Sequence, residues 1–364
     1  MATLRGFVLR YEAVIRWLSV RRRALATGAV VLGVAIFGLG VLLLVAQGPA
    51  PRRGSVPGGM VFAVLGDAPY TAFDERRYTF LLEDIDAHQL SWVIHVGDTM
   101  IPPCTDARYF QRLGWFESSR HPVIYTPGDN EWTDCANPRT GALRPLDRLN
   151  RLRQIYFSRP EASLGRRRLP LVHQGAPGSA FPELVENARW EAGGVVWATI
   201  HLVGSRNGRK PFPGRTAASD RESIRRTEGA VAWLKETFVR AESTRAQTVV
   251  IATHADLALE KPLTDPRRSS FEPFLRTLEE EVEHFGRPVL LVHGDFHQYL
   301  VDQPLVRRTT GQRLANFTRL QVPGFPDVGW VRVVVDPGKR FSPRRPAGPF
   351  TFEKRVVSPL RYWW

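Results

Sequence analysis

Five short stretches of this chain carry acids and imidazoles in an order that suits metal-ion chemistry. They are Gly66-Asp67, Gly97-Asp98, Gly128-Asp129-Asn130-Glu131, Thr253-His254 and His293-Gly294-Asp295-Phe296-His297. Singly, each is an ordinary turn or a core histidine. In succession, each closing a short apolar run, they form a set. Carboxylates and imidazoles gathered in one pocket repel one another or lose hydration without compensation unless a cation neutralises them. A metal site is the natural solution.

Something must bring these stretches together. From Met60 onward short apolar runs alternate with longer amphipathic ones, the pattern of an α/β protein whose strands are joined by helical crossovers. Strands are expected over 61–65, 92–96, 123–126, 195–203, 248–252, 289–292, 318–322 and 331–335, and helices near 72–89, 145–157, 219–241 and 270–284. Ligand sites of open α/β sheets collect at the carboxyl ends of strands, which is where all five stretches fall. A glycine before each acid is expected to permit a sharp turn there. The segment 164–182, with three consecutive arginines and several Gly and Pro, reads as an exposed loop.

The order of these residues resembles the signature of the calcineurin-like metallophosphoesterases: Asp, Gly-Asp, Gly-Asn-His-acid, His, Gly-His-x-His. Residues 60–337 look like a divergent bacterial member. The resemblance implies a two-sheet α/β sandwich with two divalent metals at strand ends. By the same likeness Asp67 is a first-metal carboxylate, Asp98 the acid bridging both metals, Asp129 and His254 second-metal ligands, and His297 a first-metal ligand, with Asp295 in the place of an imidazole. Three positions depart from the pattern. Asp67-Ala68-Pro69 replaces Asp-x-His, Asn130 replaces the histidine that helps the leaving group, and Asp295 replaces a histidine.

With those roles, one metal takes Asp67, Asp98 and His297 plus water, and the other takes Asp98, Asp129, His254 and Asp295. Four carboxylates against two divalent ions make an oxygen-rich, nearly neutral set, so manganese is the first choice, with Fe, Mg or Zn as alternatives. The residues expected to act in catalysis are Asp98, Asn130 and His254. Asn130 can donate a hydrogen bond to a phosphoryl oxygen but cannot protonate a leaving group at neutral pH. Tyr70 is expected to pack over its turn rather than to enter the site, and Ser205-Arg206-Asn207 to be a plain loop, the alternative being that it places a phosphate-binding Arg206 or a polar Asn207 near the site. His95, His121 and His201 are expected to be structural. His293 either packs or orients a ligand. The expected activity is metal-dependent hydrolysis of a phosphate ester by an activated water. The alternative is an impaired domain of the same kind that binds a phosphorylated ligand or partner.

Composition places the rest. The chain has 364 residues, 43% hydrophobic and 24% charged, with a formal net charge of +14. That excludes wholesale disorder and a disulfide-stapled miniature fold. The surplus is uneven. Arg5, Arg10, Arg16, Arg21, Arg22, Arg23, Arg52 and Arg53, opposed only by Glu12, give residues 1–53 half of it. Between the arginine groups, residues 24–46 carry no charge, a run long enough at about 1.5 Å per residue to cross a hydrocarbon core of roughly 30 Å. The heavier positive flank stays inside. The expected organisation is a basic cytoplasmic segment (1–23), a transmembrane anchor (24–46) preferred over a cleaved signal peptide, a linker (47–59), the α/β domain (60–337) and a basic aromatic tail (338–364). The location expected is the inner (plasma) membrane, single-pass, with the catalytic domain periplasmic or extracellular. No nucleic-acid partner is expected, because no recognised module accompanies the basic charge. Two cysteines, Cys104 and Cys135, each follow a motif acid by six residues, and export to an oxidising compartment predicts a disulfide between them.

Overall fold

A computed structural model describes residues 59–339 and 348–357. The expected anchor at 24–46 lies outside the described residues. Among those described, no helix is long and apolar enough to cross a membrane.

The domain is built on two sheets. The first has five strands in the order β12-β11-β1-β2-β3, from β1 (Met60–Leu65), β2 (Val93–His95), β3 (Val123–Tyr125), β11 (Gly329–Val335) and β12 (Phe350–Val356). The second has seven, ordered β4-β5-β6-β7-β8-β10-β9, from β4 (Val172–His173), β5 (Ala188–Ala192), β6 (Val195–Thr199), β7 (Thr248–Ala252), β8 (Val289–His293), β9 (Leu300–Asp302) and β10 (Phe317–Gln321). Each sheet has a parallel run, β1-β2-β3 reaching one edge of the first with antiparallel β11 and β12 on the other side, and β6-β7-β8-β10 in the middle of the second with antiparallel strands at both edges.

The parallel strands read as continuous Val, Ile and Leu because both of their faces are covered. Phe62, Val64, Ile94, Val331 and Val333 of one sheet pack with Trp197, Val250, Leu290, Val292 and Leu320 of the other in a shared apolar layer. The outer face of the first sheet is covered by α1 (Ala72–Ala87), α2 (Asp106–Ser118) and α3 (Pro145–Tyr156) through Tyr78, Leu81, Tyr109, Phe116 and Leu152. Over the second lie α4 (Ala217–Ser243) and α5 (Glu272–Phe285) through Trp233, Leu234, Phe238, Phe274 and Leu278. The result is the expected α/β sandwich of two sheets between helical layers.

Several elements differ from the sequence reading. Helix α2 was not expected: its residues follow the loop after Asp98, and its N-cap Thr105 accepts from the Arg108 backbone N–H. The short strands β4, β5 and β9 also went unread, and β4 interrupts the segment expected to be a loop. The stretch Phe350–Val356, expected to be tail, pairs along its whole length with β11. Its partly apolar, β-rich sequence FTFEKRV suits an edge strand with charges on the open side, so the domain extends beyond residue 337.

Candidate metal centre

The first three acids sit just beyond β1, β2 and β3, and His254, Asp295 and His297 just beyond β7 and β8, at the shared carboxyl edge of the two sheets. Each acid's approach is controlled by the backbone. Asp67, Asp98, Asp295 and His297 all have positive φ, at 56°, 56°, 71° and 65°, a region L-residues enter rarely and one typical of functional sites. The expected role of the preceding glycines holds at Gly97, whose φ is 93°. At Gly128 and Gly294 the acid-bearing neighbour demands space instead: a Cβ on Gly128 would lie 2.0 Å from Asp98 Oδ1, and one on Gly294 2.4 Å from Asp67 Oδ2.

His254 is the hinge of the arrangement. Its Nδ1 lies 2.7 Å from the Val96 carbonyl of the other sheet, and in the neutral ring that bond places the proton on Nδ1 and turns the Nε2 lone pair inward. Nε2 lies 3.4 Å from Asp98 Oδ1, 3.4 Å from Asp129 Oδ1 and 3.8 Å from Asp295 Oδ1, and it is buried without a hydrogen-bond partner. Two sets of ligand atoms fall close enough to hold an ion: Asp67, Asp98 and His254, and Asp129, His254 and Asp295.

Asp98 faces both ways. Its Oδ1 is on the His254 side and also accepts the Asn130 backbone N–H at 3.1 Å. Its Oδ2 accepts the Tyr70 hydroxyl at 2.8 Å. That hydroxyl is also 3.1 Å from His297 Nε2, and His297 Nε2 is 3.8 Å from Asp67 Oδ1. His297 Nδ1 lies 3.0 Å from the Phe325 carbonyl, which orients its Nε2 as Val96 orients that of His254. All six expected ligands therefore converge.

The expectation for Tyr70 is corrected: its ring does stack on Phe325, but its hydroxyl enters the site. A capping box at the start of α1, in which Thr71 and Asp74 exchange hydrogen bonds, fixes the chain immediately after it.

Electrostatics fit a cation. Burial pushes Asp67 up to about 7, with Asp295 and Asp129 adding to the rise and His254 opposing it. Asp295 is likewise pushed up to about 7 by burial and by the charge of Asp129, and burial also lifts Asp98 well above the usual carboxylate range. Against the cost of its burial, His254 holds Asp129 below that range. Burial alone would depress His254, but the surrounding carboxylates hold its proton on well above the ordinary imidazole range. Burial moves His297 the other way, down, so its ring is neutral. One imidazolium among four buried carboxylates is an undercompensated set, and a divalent ion supplies what is missing.

Glu131 was quoted in the sequence motif but given no role. It is fully buried, and its Oε2 accepts the backbone N–H groups of Asp98 (3.1 Å) and Gly128 (2.9 Å), while its Oε1 accepts those of Thr99 and the Thr99 hydroxyl. It ties the turns after β2 and β3 to each other. The signal available was an acid three residues after the β3 glycine, the spacing at which a side chain can reach back to a turn's free N–H groups. Cys104 and Cys135 are disulfide-bonded, as expected, joining the same two loops farther out.

Asn130 is half-buried, and its side-chain amide makes no hydrogen bond among the described residues. His95, His121, His201 and His293 do not reach the ligand set. His201 pairs with Glu186 at 2.7 Å, and His293 bonds the Gly294 carbonyl at 2.9 Å, bracing the turn that carries Asp295.

The segment after β6, expected to be a plain loop, is a left-handed turn. Ser205, Arg206 and Asn207 have φ of 51°, 59° and 55°, at a cost of about 1–2 kcal/mol per residue. Buried Arg226 of α4 donates to the Asn207 carbonyl and side chain, Ser223 donates to that carbonyl too, and Asn207 donates to Thr227. The turn abuts the metal centre: a Cβ on Gly204 would lie 2.5 Å from Asp295 Oδ1 and 2.6 Å from Asp129 Oδ2.

Among solved structures, the chain is similar to that of PhoD, with a TM-score of 0.50 and 14% identity over 82% of this chain and 72% of that one. A crystal structure of a phosphatase from Mycoplasma pneumoniae matches with a TM-score of 0.40 and 13% identity over 84% and 96%. No protein-family model and no curated protein matches the chain. The first of these likenesses shows a shared fold.

Proposed function

We propose that this protein is a metal-dependent phosphoesterase tethered to the inner membrane by residues 24–46, with its α/β domain outside. The observation that carries the reading is the inward-facing Nε2 of His254, buried among Asp98, Asp129 and Asp295 and without a hydrogen bond of its own. Asp67, Asp98 and His297 would hold one divalent ion and Asp98, Asp129, His254 and Asp295 a second, with Tyr70 beside the first. The oxygen-rich set favours manganese, iron or magnesium. Such ions supply polarisation of phosphoryl oxygens and a lowered pKa for an attacking water. The similarity of fold to PhoD and the phosphatase-type ligand order support phosphate esters as substrates.

The chain's own residues then divide the remaining work. Asp98, with one oxygen towards each half of the site, keeps both halves in register. His254 and His297 are held in one tautomer by backbone carbonyls, so neither spends energy reorienting. Asn130 is free to donate to a phosphoryl oxygen and has no proton to give a departing alkoxide.

A second reading, binding of a phosphorylated ligand without turnover, is favoured by that same asparagine. Hydrolysis of an aryl phosphate by the purified domain separates the two. The expected result is metal-dependent turnover lost in Asp98→Ala; metal binding without turnover on any ester would establish the second reading.

A further inference from the structure

A cleft of about 550 Å³ opens directly beside Asp295. Its walls include Arg206, Lys261, Arg267 and Arg319, the acids Asp256, Glu260 and Asp302, and the apolar Phe271, Phe296 and Leu300. Most of these charges are spoken for. Arg319 grips Asp302 through two bonds of 2.8 Å and reaches Glu260 at 3.1 Å. Arg267 is paired with Asp265. Asp256 is within 3.9 Å of Arg319 and accepts the Ala258 backbone N–H. Arg206 and Lys261 remain, lining the cleft with no carboxylate in ion-pair range among the described residues.

Arg206 is displayed at a cost. It sits at the centre of the left-handed turn, whose neighbouring Asn207 is clamped by Arg226, Ser223 and Thr227 while Arg206 itself is exposed. Strain maintained by a buried network next to a ligand-bearing carboxylate points to use of the residue it presents. Phe296, between Asp295 and His297 in sequence, also lines the cleft and is 56% exposed. The cleft thus offers two cations outside ion-pair contact, Lys261 being attracted only at longer range by Glu260 and Asp265, and an apolar surface one residue away from the metal ligands.

We infer that this cleft is a leaving-group subsite for a second phosphate, so that the substrate is an ester whose leaving group is itself phosphorylated, with Arg206 and Lys261 gripping that phosphate. This rests on the phosphoesterase reading for its placement but is testable without turnover. In chelator no metal ion is left to hold phosphate, so inorganic phosphate bound by the metal-free protein and weakened by changes in the cleft reports the cleft. Calorimetric titration should show saturable phosphate binding, weakened at least fivefold by Arg206→Ala and by Lys261→Ala and retained in Lys261→Arg, each variant being checked for native circular dichroism. No binding by the metal-free wild type, or binding indifferent to both substitutions, would overturn the subsite whatever the enzyme hydrolyses.

A second arm uses the metal-loaded protein. The ratio of kcat/KM for a diphosphate ester to that for an aryl phosphate should fall at least fivefold in either alanine variant. Testing both a nucleoside diphosphate and a glycerol-based diphosphate ester identifies the source of the phosphate, since preference for either over aryl phosphate supports the subsite and preference for neither contradicts it. Absence of turnover on every ester, with phosphate binding intact, would instead count against the phosphoesterase reading alone.

Discussion

At the scale of the residue, Asn130 and Glu131 are adjacent and do opposite things. On the proposed function Asn130 would bond a phosphoryl oxygen but, as an amide, could not protonate a leaving group. Turnover should therefore depend steeply on leaving-group pKa, and Asn130→His should raise kcat on an alkyl phosphate relative to an aryl phosphate by at least about tenfold, below the usual contribution of about 10²–10⁴ from general acid catalysis. Paired kinetics on the two esters check this, and an unchanged ratio would remove Asn130 from the account.

Glu131 is fully buried and accepts four hydrogen bonds from the turns of Asp98 and Gly128. In Glu131→Gln one acceptor becomes a donor facing donors, which should cost about 2–3 kcal/mol. Because the loss falls on the turns that hold Asp98 and Asp129, metal affinity should drop along with the denaturation midpoint.

The elements show what the sequence could and could not convey. Parallel strands buried on both faces are apolar runs, and β1, β7 and β8 are legible because their composition leaves no other reading. The candidate ligands are legible in the sequence because strand-end placement and residue type coincide at each. Tyr70 was harder. Its entry into the site depends on the capping box of α1 and on the loop after β10, where Phe325 stacks on the ring and holds His297, a contact between residues far apart in sequence. The turn at 204–208 was harder still, because three non-glycine residues with positive φ are held by tertiary bonds from α4 and carry no local signature. Edge strands β9 and β12 are short or charged, and only their pairing defines them. The Cys104–Cys135 disulfide belongs to this scale, since it closes a loop with a sequence separation of 31. Replacing both cysteines by alanine should lower unfolding free energy by about 3–4 kcal/mol in the chain-entropy model, measured by denaturant titration of oxidised wild type against the variant.

For the whole molecule, charge is the organising quantity. Half of the +14 surplus lies in residues 1–53, where on the proposed anchoring it would set topology, and the domain concentrates acid at the edge shared by its two sheets. Metal binding must expel protons from that edge. Asp67 and Asp295, both pushed up to about 7, contribute stability to the metal-free fold at low pH that is lost as pH rises from the ordinary carboxylate range to about 7, and His254, whose proton is held well above the ordinary imidazole range, loses its share at higher pH still. Bound metal removes that loss. The buried neutral histidines, such as His95 and His293, slope the other way, but they do so with or without metal and cancel in the difference. The stabilisation by divalent metal, taken as the melting temperature with metal minus that in chelator, should therefore grow between about pH 6 and pH 8. The increase should shrink in Asp295→Asn.

The most direct test is the metal content of the purified domain at pH 8, by elemental analysis after equilibration with manganese and removal of free metal, for wild type and Asp98→Ala side by side. Two tightly held divalent ions per chain in the wild type, with loss of at least one in the variant, is the predicted result. A wild-type domain that retains no divalent metal, or an Asp98→Ala variant that retains both ions, would contradict the dinuclear centre.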